Sequence, residues 1–150
     1  MKKTLAKMKC PKHFRLEELL TSSTARQKSI ENLPSWEVIE RLLQLCEVLD
    51  DIRDAWGSGI RVTSGYRCPA LNRAVGGVTN SVHQIGWAVD IVPSNGKLDE
   101  FSIFLKNWLP NYKKSWDQCI WETRGKSRWI HFGWMNANGG QRRQMFSLTA

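Results

Sequence analysis

The sequence predicts an α+β fold, in which a small antiparallel β-sheet is flanked by N-terminal helices and one later helix. Apolar residues follow helical spacing up to about residue 55, and strand-like segments follow from residue 60. One further helical segment separates the early strands from a hairpin near residue 125. Helices and strands that are segregated along a chain are typical of α+β proteins. A chain of 150 residues fits one domain, so we expect a single domain over residues 1–150, with residues 1–12 as a flexible basic N-terminus.

The helical region is predicted from about Phe14 to Ala55. After a short apolar segment and a polar stretch, Pro34 is positioned to open a long helix, because proline is tolerated in the first turn. Gly57-Ser58-Gly59 ends this helix. Its apolar residues form one broad stripe, which consists of Val38, Ile39, Leu42, Leu43, Leu45, Cys46, Leu49 and Ile52.

Two early strands are predicted from short apolar segments. Ile60–Ser64 alternates apolar and polar residues as a half-buried strand does, and Gly65 interrupts the pattern. Ala88–Val92 is the second strand, and its apolar run is interrupted by Asp90. An inward-pointing carboxylate needs a partner, because burial of an unpaired charge is costly.

The third region contains a helix and a hairpin. Leu98–Leu109 has amphipathic spacing and is stopped by Pro110. The segments Ile120–Glu122 and Arg128–Phe132 then predict two strands that are joined by a turn containing Gly125.

Composition narrows the classes of partner. There are 22 Lys and Arg residues against 14 Asp and Glu, a formal net charge of +8, which favours polyanionic partners such as nucleic acid or an anionic cell wall. The basic residues are dispersed along the chain, so we do not expect a nucleic-acid-binding face. No apolar stretch has the length of a membrane helix, and we expect no membrane insertion.

The N-terminus is basic but lacks the apolar run of a signal peptide. We therefore expect synthesis in the cytoplasm. The four cysteines (Cys10, Cys46, Cys68 and Cys119) lie far apart without a Cys-x-x-Cys pair. In a cytoplasmic chain they are expected to be reduced structural or surface thiols.

Three residues are candidate metal ligands: His83, Asp90 and His131. Two imidazoles and a carboxylate suit a divalent ion such as zinc, and three protein ligands leave a position open for water, as in catalytic sites. Spacing alone leaves alternatives, because Arg61 or Arg67 could equally pair with Asp90. His13, the third histidine, has no acidic or thiol neighbour in the sequence and is interpreted as a surface or packing residue.

The ordered motifs resemble the M15 group of zinc peptidases, which includes D-Ala-D-Ala carboxypeptidases and phage endolysins. The resemblance covers about residues 13–135 and includes an N-terminal helical part similar to the phage-type subgroup. The motifs that carry it are Ser64-Gly65-Tyr66-Arg67, Leu71-Asn72, Val75-Gly76-Gly77, Ser81-x-His83-x-x-Gly86-x-Ala88-x-Asp90-Ile91 and Trp129-Ile130-His131.

The resemblance implies a fold like that of hedgehog and D-Ala-D-Ala peptidases, with one zinc ion held by His83, Asp90 and His131. It also implies that Arg67 contacts a carboxylate or carbonyl oxygen of the substrate, with a structural ion pair as the alternative. Ser81 would be a hydroxyl near the metal, or would only brace its loop.

The general base is the point at which this sequence departs from the family. Many members carry an acid three residues before the last histidine, where this chain has Arg128. Glu122 is the nearest alternative. If the hairpin loop has an even number of residues, Glu122 pairs with Trp129 and shares a sheet face with His131; an odd loop would place it on the opposite face.

The function implied by the resemblance is zinc-dependent hydrolysis of an amide bond in peptidoglycan stem peptides or cross-links, by a monomeric endolysin that reaches the cell wall after membrane permeabilisation. Tryptophans such as Trp87, Trp121, Trp129 and Trp134 could line the cleft or pack in the core. Two rival hypotheses are a zinc-binding module of the same fold that has lost catalysis and a nucleic-acid-binding protein.

Overall fold

A five-stranded sheet, with strand order β1-β2-β4-β3-β5, organises the residues that the computed structural model describes, 10–149. Of the N-terminus predicted to be flexible, residues 1–12, the first nine lie outside the described residues. The strands are β1 Ile60–Ser64, β2 Ala88–Pro93, β3 Gln118–Arg124, β4 Ser127–Gly133 and β5 Gln144–Thr149. The α-helices are α1 Ser23–Gln27, α2 Trp36–Trp56, α3 Pro69–Ala74 and α4 Leu98–Trp108, and short 3-10 helices span Leu16–Leu19, Val82–Ile85 and Leu109–Asn111.

The predicted α+β fold is confirmed, and the long helix, the later helix and four strands appear where the sequence predicts them. The long helix starts slightly later than predicted. Ser35 is its N-cap, accepting a hydrogen bond from the backbone of Val38, so Pro34 precedes the cap instead of occupying the first turn. Gly57 ends the helix in the left-handed conformation at φ 78°.

One strand was not predicted. β5 pairs with β3 in parallel, which makes the sheet mixed, whereas the other three pairings are antiparallel as expected. An ion pair between the exposed Arg142 and the buried Asp117 lies where β5 approaches the sheet. Arg142 donates from Nε and Nη2 to Asp117, at 2.8 and 2.9 Å. Burial disfavours the ionised carboxylate, but Arg142 outweighs this and lowers the pKa of Asp117.

The two faces of the sheet have different roles. Strand residues alternate between faces, and one set packs under α2 and α4 in an apolar core. The strand residues of this core that are fully buried are Val89, Ile91, Cys119, Ile130 and Phe132. The opposite face carries Asp90, Glu122 and His131 and is not covered by these helices.

Residues 10–13 are bound to α2 by a disulfide and a side-chain contact. Cys10 and Cys46 form a disulfide, with their Cα atoms 5.7 Å apart, so the expectation of reduced thiols is wrong for this pair; Cys68 and Cys119 are free. The expectation failed because the two cysteines are 36 residues apart, and only the docking of the segment brings them together. His13 also contacts α2, with Nε2 placed 2.6 Å from Asp54 Oδ1.

The segment 16–34 packs against the chain that follows β1. The backbone N–H of Tyr66 donates to the carbonyl of Leu19 at 2.7 Å. Asn32 donates to the carbonyls of Leu20 and Tyr66 and accepts from the N–H of Cys68. This close approach requires a glycine at position 65. No helix within residues 10–149 is long and apolar enough to cross a lipid bilayer.

We expect Gly65→Ala to lower the free energy of unfolding by about 1–3 kcal/mol, because a Cβ at this position would overlap the carbonyl of Leu19. Gly133→Ala is the matched control, since the atom nearest its added Cβ is 3.6 Å away. Urea denaturation followed by tryptophan fluorescence measures both. Equal stability of the two variants would contradict the close approach.

Candidate metal centre

Asp90 and His131 are direct neighbours on adjacent strands. The register of β2 and β4 pairs Asp90 with His131, and the register of β1 and β2 pairs Ser64 with Asp90. Side chains of directly paired residues point to the same face of a sheet. The strand pairing therefore places the carboxylate beside the imidazole on the face away from the core helices.

His83 reaches the same point from a short turn. It lies in the 3-10 helix Val82–Ile85, in which Ser81 caps the first turn and accepts a hydrogen bond from the backbone of His83 at 3.2 Å. Gly86 then adopts φ 86° and turns the chain into β2. One helical turn, one reversal and half a strand account for the spacing of seven residues between His83 and Asp90.

The three side chains converge on one point. His83 Nε2 and His131 Nδ1 each lie 3.2 Å from Asp90 Oδ1, and one ligand atom from each residue lies within 4.8 Å of the other two. Tetrahedral zinc ligands at about 2.0–2.1 Å from the ion are about 3.3 Å from one another. The two separations of 3.2 Å therefore fit the edges of a zinc coordination shell.

The hydrogen bond of His83 supports the same interpretation. Its Nδ1 lies 2.8 Å from the carbonyl oxygen of Gly65, which can only accept, so Nδ1 carries a proton. In the neutral ring Nε2 then presents a lone pair to the carboxylate of Asp90. Two acceptors in contact require a proton or a cation between them. A backbone carbonyl that fixes the imidazole in this way is common behind metal-bound histidines.

The carboxylate of Asp90 is buried but ionised. The residue is 5% exposed, and burial alone would raise its pKa. His83 and His131 outweigh the burial and hold the pKa of Asp90 well below its usual range. A buried anion between two imidazoles is suited to binding a divalent cation.

Arg67 holds the other oxygen of this carboxylate. Its Nη2 donates to Asp90 Oδ2 at 3.2 Å, its Nε to Ser64 Oγ at 3.1 Å and its Nη1 to Asn72 Oδ1 at 3.1 Å. Burial lowers the pKa of Arg67, and the charges of Asp90 and Glu122 raise it again. The structure therefore contains the ion pair that the sequence left open as the alternative role of Arg67, and Asp90 takes Arg67 as its partner instead of Arg61.

Asn72 keeps Arg67 in place. It is 2% exposed, and its amide donates to the carbonyl of Val78 at 2.8 Å while its Oδ1 accepts from Arg67. Gly77 packs against this pair, since a Cβ there would overlap Asn72 and lie 2.7 Å from Arg67 Nη1. The motifs Leu71-Asn72 and Val75-Gly76-Gly77 therefore together support the guanidinium of Arg67.

The cluster lies in an open cleft of about 830 Å³. Arg67, Ser81, His83 and His131 line it, and so does Glu122. The hairpin has the even loop that places Glu122 opposite Trp129, so Glu122 and His131 share a sheet face. Their backbones are diagonal neighbours, which are about 7–8 Å apart.

The remaining candidates lie as follows. Ser81 braces its loop and also faces the cleft. His13 is bonded to Asp54, outside the cluster. Arg128 pairs with Asp99 on α4, with Nη2 at 2.5 Å from Oδ1. Of the four tryptophans, Trp129 lines the cleft, Trp121 packs against the core, and the rings of Trp87 and Trp134 contact each other at 4.7 Å.

Sequence reasoning missed one wall of the cleft. Residues 17, 18 and 21–24, in and after the first 3-10 helix, line the side opposite the hairpin. In the sequence, the polar residues of this stretch indicated helix caps and not a wall of the cleft. Asn32 holds this wall beside the metal cluster through hydrogen bonds to the backbone of Leu20, Tyr66 and Cys68. These contacts join distant parts of the chain and therefore depend on the tertiary structure.

The family model described as peptidase M15 matches residues 12–132 of the chain. The match includes His83, Asp90 and His131. No curated protein matches the chain.

We expect the protein to bind one zinc ion and the His83→Ala variant to bind none, because only two of the three protein ligands would remain. Ligand binding to the folded state raises its stability, so zinc should raise the melting temperature of the wild type and not of the variant. His13→Ala is the matched control and should bind zinc as the wild type does. Metal analysis together with thermal denaturation checks this; zinc retained by His83→Ala would exclude the cluster as the site.

We expect Asn72→Ala to weaken zinc binding by about tenfold, the lower end of the effects seen when outer-shell contacts are lost. Arg67 would lose one acceptor and hold Asp90 less firmly. Asn107→Ala, an exposed substitution on α4, serves as the control. Competition with a chelating dye measures the affinity. Unchanged affinity in Asn72→Ala would show that Asp90 does not need this support.

Proposed function

The chain belongs to the peptidase M15 family, which indicates a metallopeptidase, and from this premise we propose that it uses one zinc ion to hydrolyse an amide bond in peptidoglycan stem peptides or cross-links. The observation that carries the proposal is the convergence of two imidazole nitrogens and one carboxylate oxygen on the floor of an open cleft. Such a ligand set leaves a coordination position for water, as catalytic zinc sites do. His83, Asp90 and His131 are the proposed ligands.

A bound zinc ion acts as a Lewis acid, which lowers the pKa of water and polarises a carbonyl group. The protein contributes the orientation of its ligands. Gly65 fixes the His83 ring through Nδ1, and Arg67 holds Asp90 Oδ2 so that Oδ1 faces the two imidazoles. Ligands held in this way do not have to reorganise when the ion binds.

Glu122 is the proposed general base. It lies in the cleft, on the sheet face of His131 and two residue pairs nearer to the β3–β4 turn. From there its carboxylate can take a proton from the attacking water and transfer it to the leaving nitrogen, which is the role of an acid–base residue in amide hydrolysis. Arg67 lies close enough to Glu122 for the charges of the two side chains to interact.

Arg67 has a second proposed role at the substrate. A guanidinium carries five N–H donors, and three of its nitrogens each make one hydrogen bond here. One N–H on each of Nη1 and Nη2 therefore remains, and Arg67 lines the cleft. These donors can stabilise the negative charge that develops on the carbonyl oxygen of the scissile amide. Ser81 is proposed to contact the substrate through its hydroxyl.

An endolysin role is our proposal for the biological context. The cleft is open and most of the residues that line it are polar, as suits a peptide that is part of a large polymer. The net charge of +8 favours an anionic cell wall. A Cys10–Cys46 disulfide is stable in oxidising surroundings, which agrees with action outside the cytoplasm after membrane permeabilisation. Endopeptidase and D,D-carboxypeptidase activities are both compatible with the proposed chemistry.

A catalytically inactive zinc-binding module is the second candidate. The observation that favours it is Arg128, which occupies the position where many relatives carry an acid and which bonds to Asp99. That position cannot supply a base in this protein. Hydrolysis therefore depends on Glu122.

We expect Glu122→Gln to lower kcat by about 10²–10⁴-fold, the usual contribution of a general base, while zinc content stays at that of the wild type. Glu40→Gln, an exposed substitution on α2, is the matched control and should leave kcat unchanged. The assay is mass spectrometry of purified peptidoglycan after digestion, with and without a chelator, which also identifies the cleaved bond. Full activity of Glu122→Gln would remove the assignment of the base, and wild-type protein without activity would favour the inactive module.

A further inference from the structure

We propose that Arg61 and Arg124 form a binding site for a free carboxylate of the substrate, so that the enzyme selects peptides with an acidic residue close to the scissile amide. This inference rests on the proposed peptidase function. Both arginines line the cleft and are exposed. Within residues 10–149 neither has a hydrogen-bond or ion-pair partner, whereas Arg67 in the same cleft is hydrogen-bonded to Ser64, Asn72 and Asp90.

The sheet register places both arginines on the same side of the metal cluster. Arg61 pairs with Val92, two residues along β2 from Asp90. On β3, Glu122 pairs with Trp129, two residues along β4 from His131, and Arg124 lies two residues beyond Glu122. All these positions lead toward the β3–β4 turn. Arg61 and Arg124 therefore project from the sheet face of Asp90, His131 and Glu122, on opposite sides of the cleft.

The distance from the cluster sets where a carboxylate would lie. Two residues along a strand span about 6.6–6.8 Å, so the backbone of Arg61 is one such step from the metal ligands and that of Arg124 is about two. An extended peptide advances about 3.3–3.6 Å per residue. A carboxylate one to three residues from the scissile amide would therefore come within reach of these long side chains.

Electrostatics favours an anion at this end of the cleft. Arg61 and Arg124 contribute two positive charges without an ion-pair partner in the described residues, against the single negative charge of Glu122, whereas the charge of Arg67 is paired with Asp90. Glu17 and Glu18, the acids of the wall formed by residues 17, 18 and 21–24, would repel a carboxylate placed against them, and Glu18 is already bonded to the backbone of Arg15 at 2.7 Å. A substrate carboxylate is thus directed to the sheet side, where a guanidinium can bind it through two parallel hydrogen bonds.

The test compares peptide pairs that differ only by Glu or Gln, placed one to three residues to either side of the cleaved amide. We expect the wild type to favour a Glu peptide by about 5- to 10-fold in kcat/KM through a lower KM, as one or two charge-assisted hydrogen bonds provide. Arg61→Gln and Arg124→Gln should each reduce that preference while cleaving the Gln peptide like the wild type. Arg73→Gln, an exposed substitution on α3 outside the cleft, should retain the preference.

Zinc content and peptide binding separate this inference from the proposed function. All variants should bind zinc like the wild type, and calorimetry on metal-depleted protein measures peptide affinity without hydrolysis. An acid preference in binding that depends on the arginines, without any cleavage, would support the carboxylate site and contradict the peptidase. Cleavage without an acid preference, or a preference that survives in both arginine variants, would overturn the carboxylate site alone.

Discussion

The ionised carboxylate of Asp90 is the interaction on which the rest of the site depends. One oxygen faces His83 and His131, and the other accepts from Arg67. A buried anion is tolerated only when it is paired, and here cationic or polar partners reach it from three parts of the chain: the turn before β2, strand β4 and the loop after β1. Folding of the domain and assembly of the metal cluster are therefore linked through one side chain.

The division of the sheet into two faces allows a buried charge to lie on a strand of the core. Val89 and Ile91 flank Asp90 and lie in the apolar core under α2 and α4, so that the strand is anchored by burial while Asp90 itself points to the cleft. Burial of the core side chains provides the main driving force for folding. The supports of the metal cluster lie in the loops on the cleft side, where Gly65 and Gly77 allow neighbouring groups to approach too closely for any side chain.

The cleft combines groups that act at different distances from the metal cluster. Arg67 contacts the ligand Asp90 directly, Glu122 lies two residue pairs along the hairpin from His131, and Arg61 and Arg124 remain free, within the described residues, to contact a substrate. In our proposals these positions correspond to ligand orientation, proton transfer and substrate selection. The strand registers set the positions of Arg61, Glu122 and Arg124, because a slip of one residue would turn each of these side chains into the core.

The sequence by itself determined the α+β class, the long helix and four of the five strands, because helical and strand periodicities are local properties of the chain. Ordered motifs also singled out His83, Asp90 and His131, since ligand chemistry restricts the residue types. The tertiary structure decided what depends on contacts distant in sequence: the parallel pairing of β5, the Cys10–Cys46 disulfide, the partner of Asp90 and the even hairpin loop that puts Glu122 in the cleft. Register and docking arise from packing of the whole chain, and no local pattern encodes them.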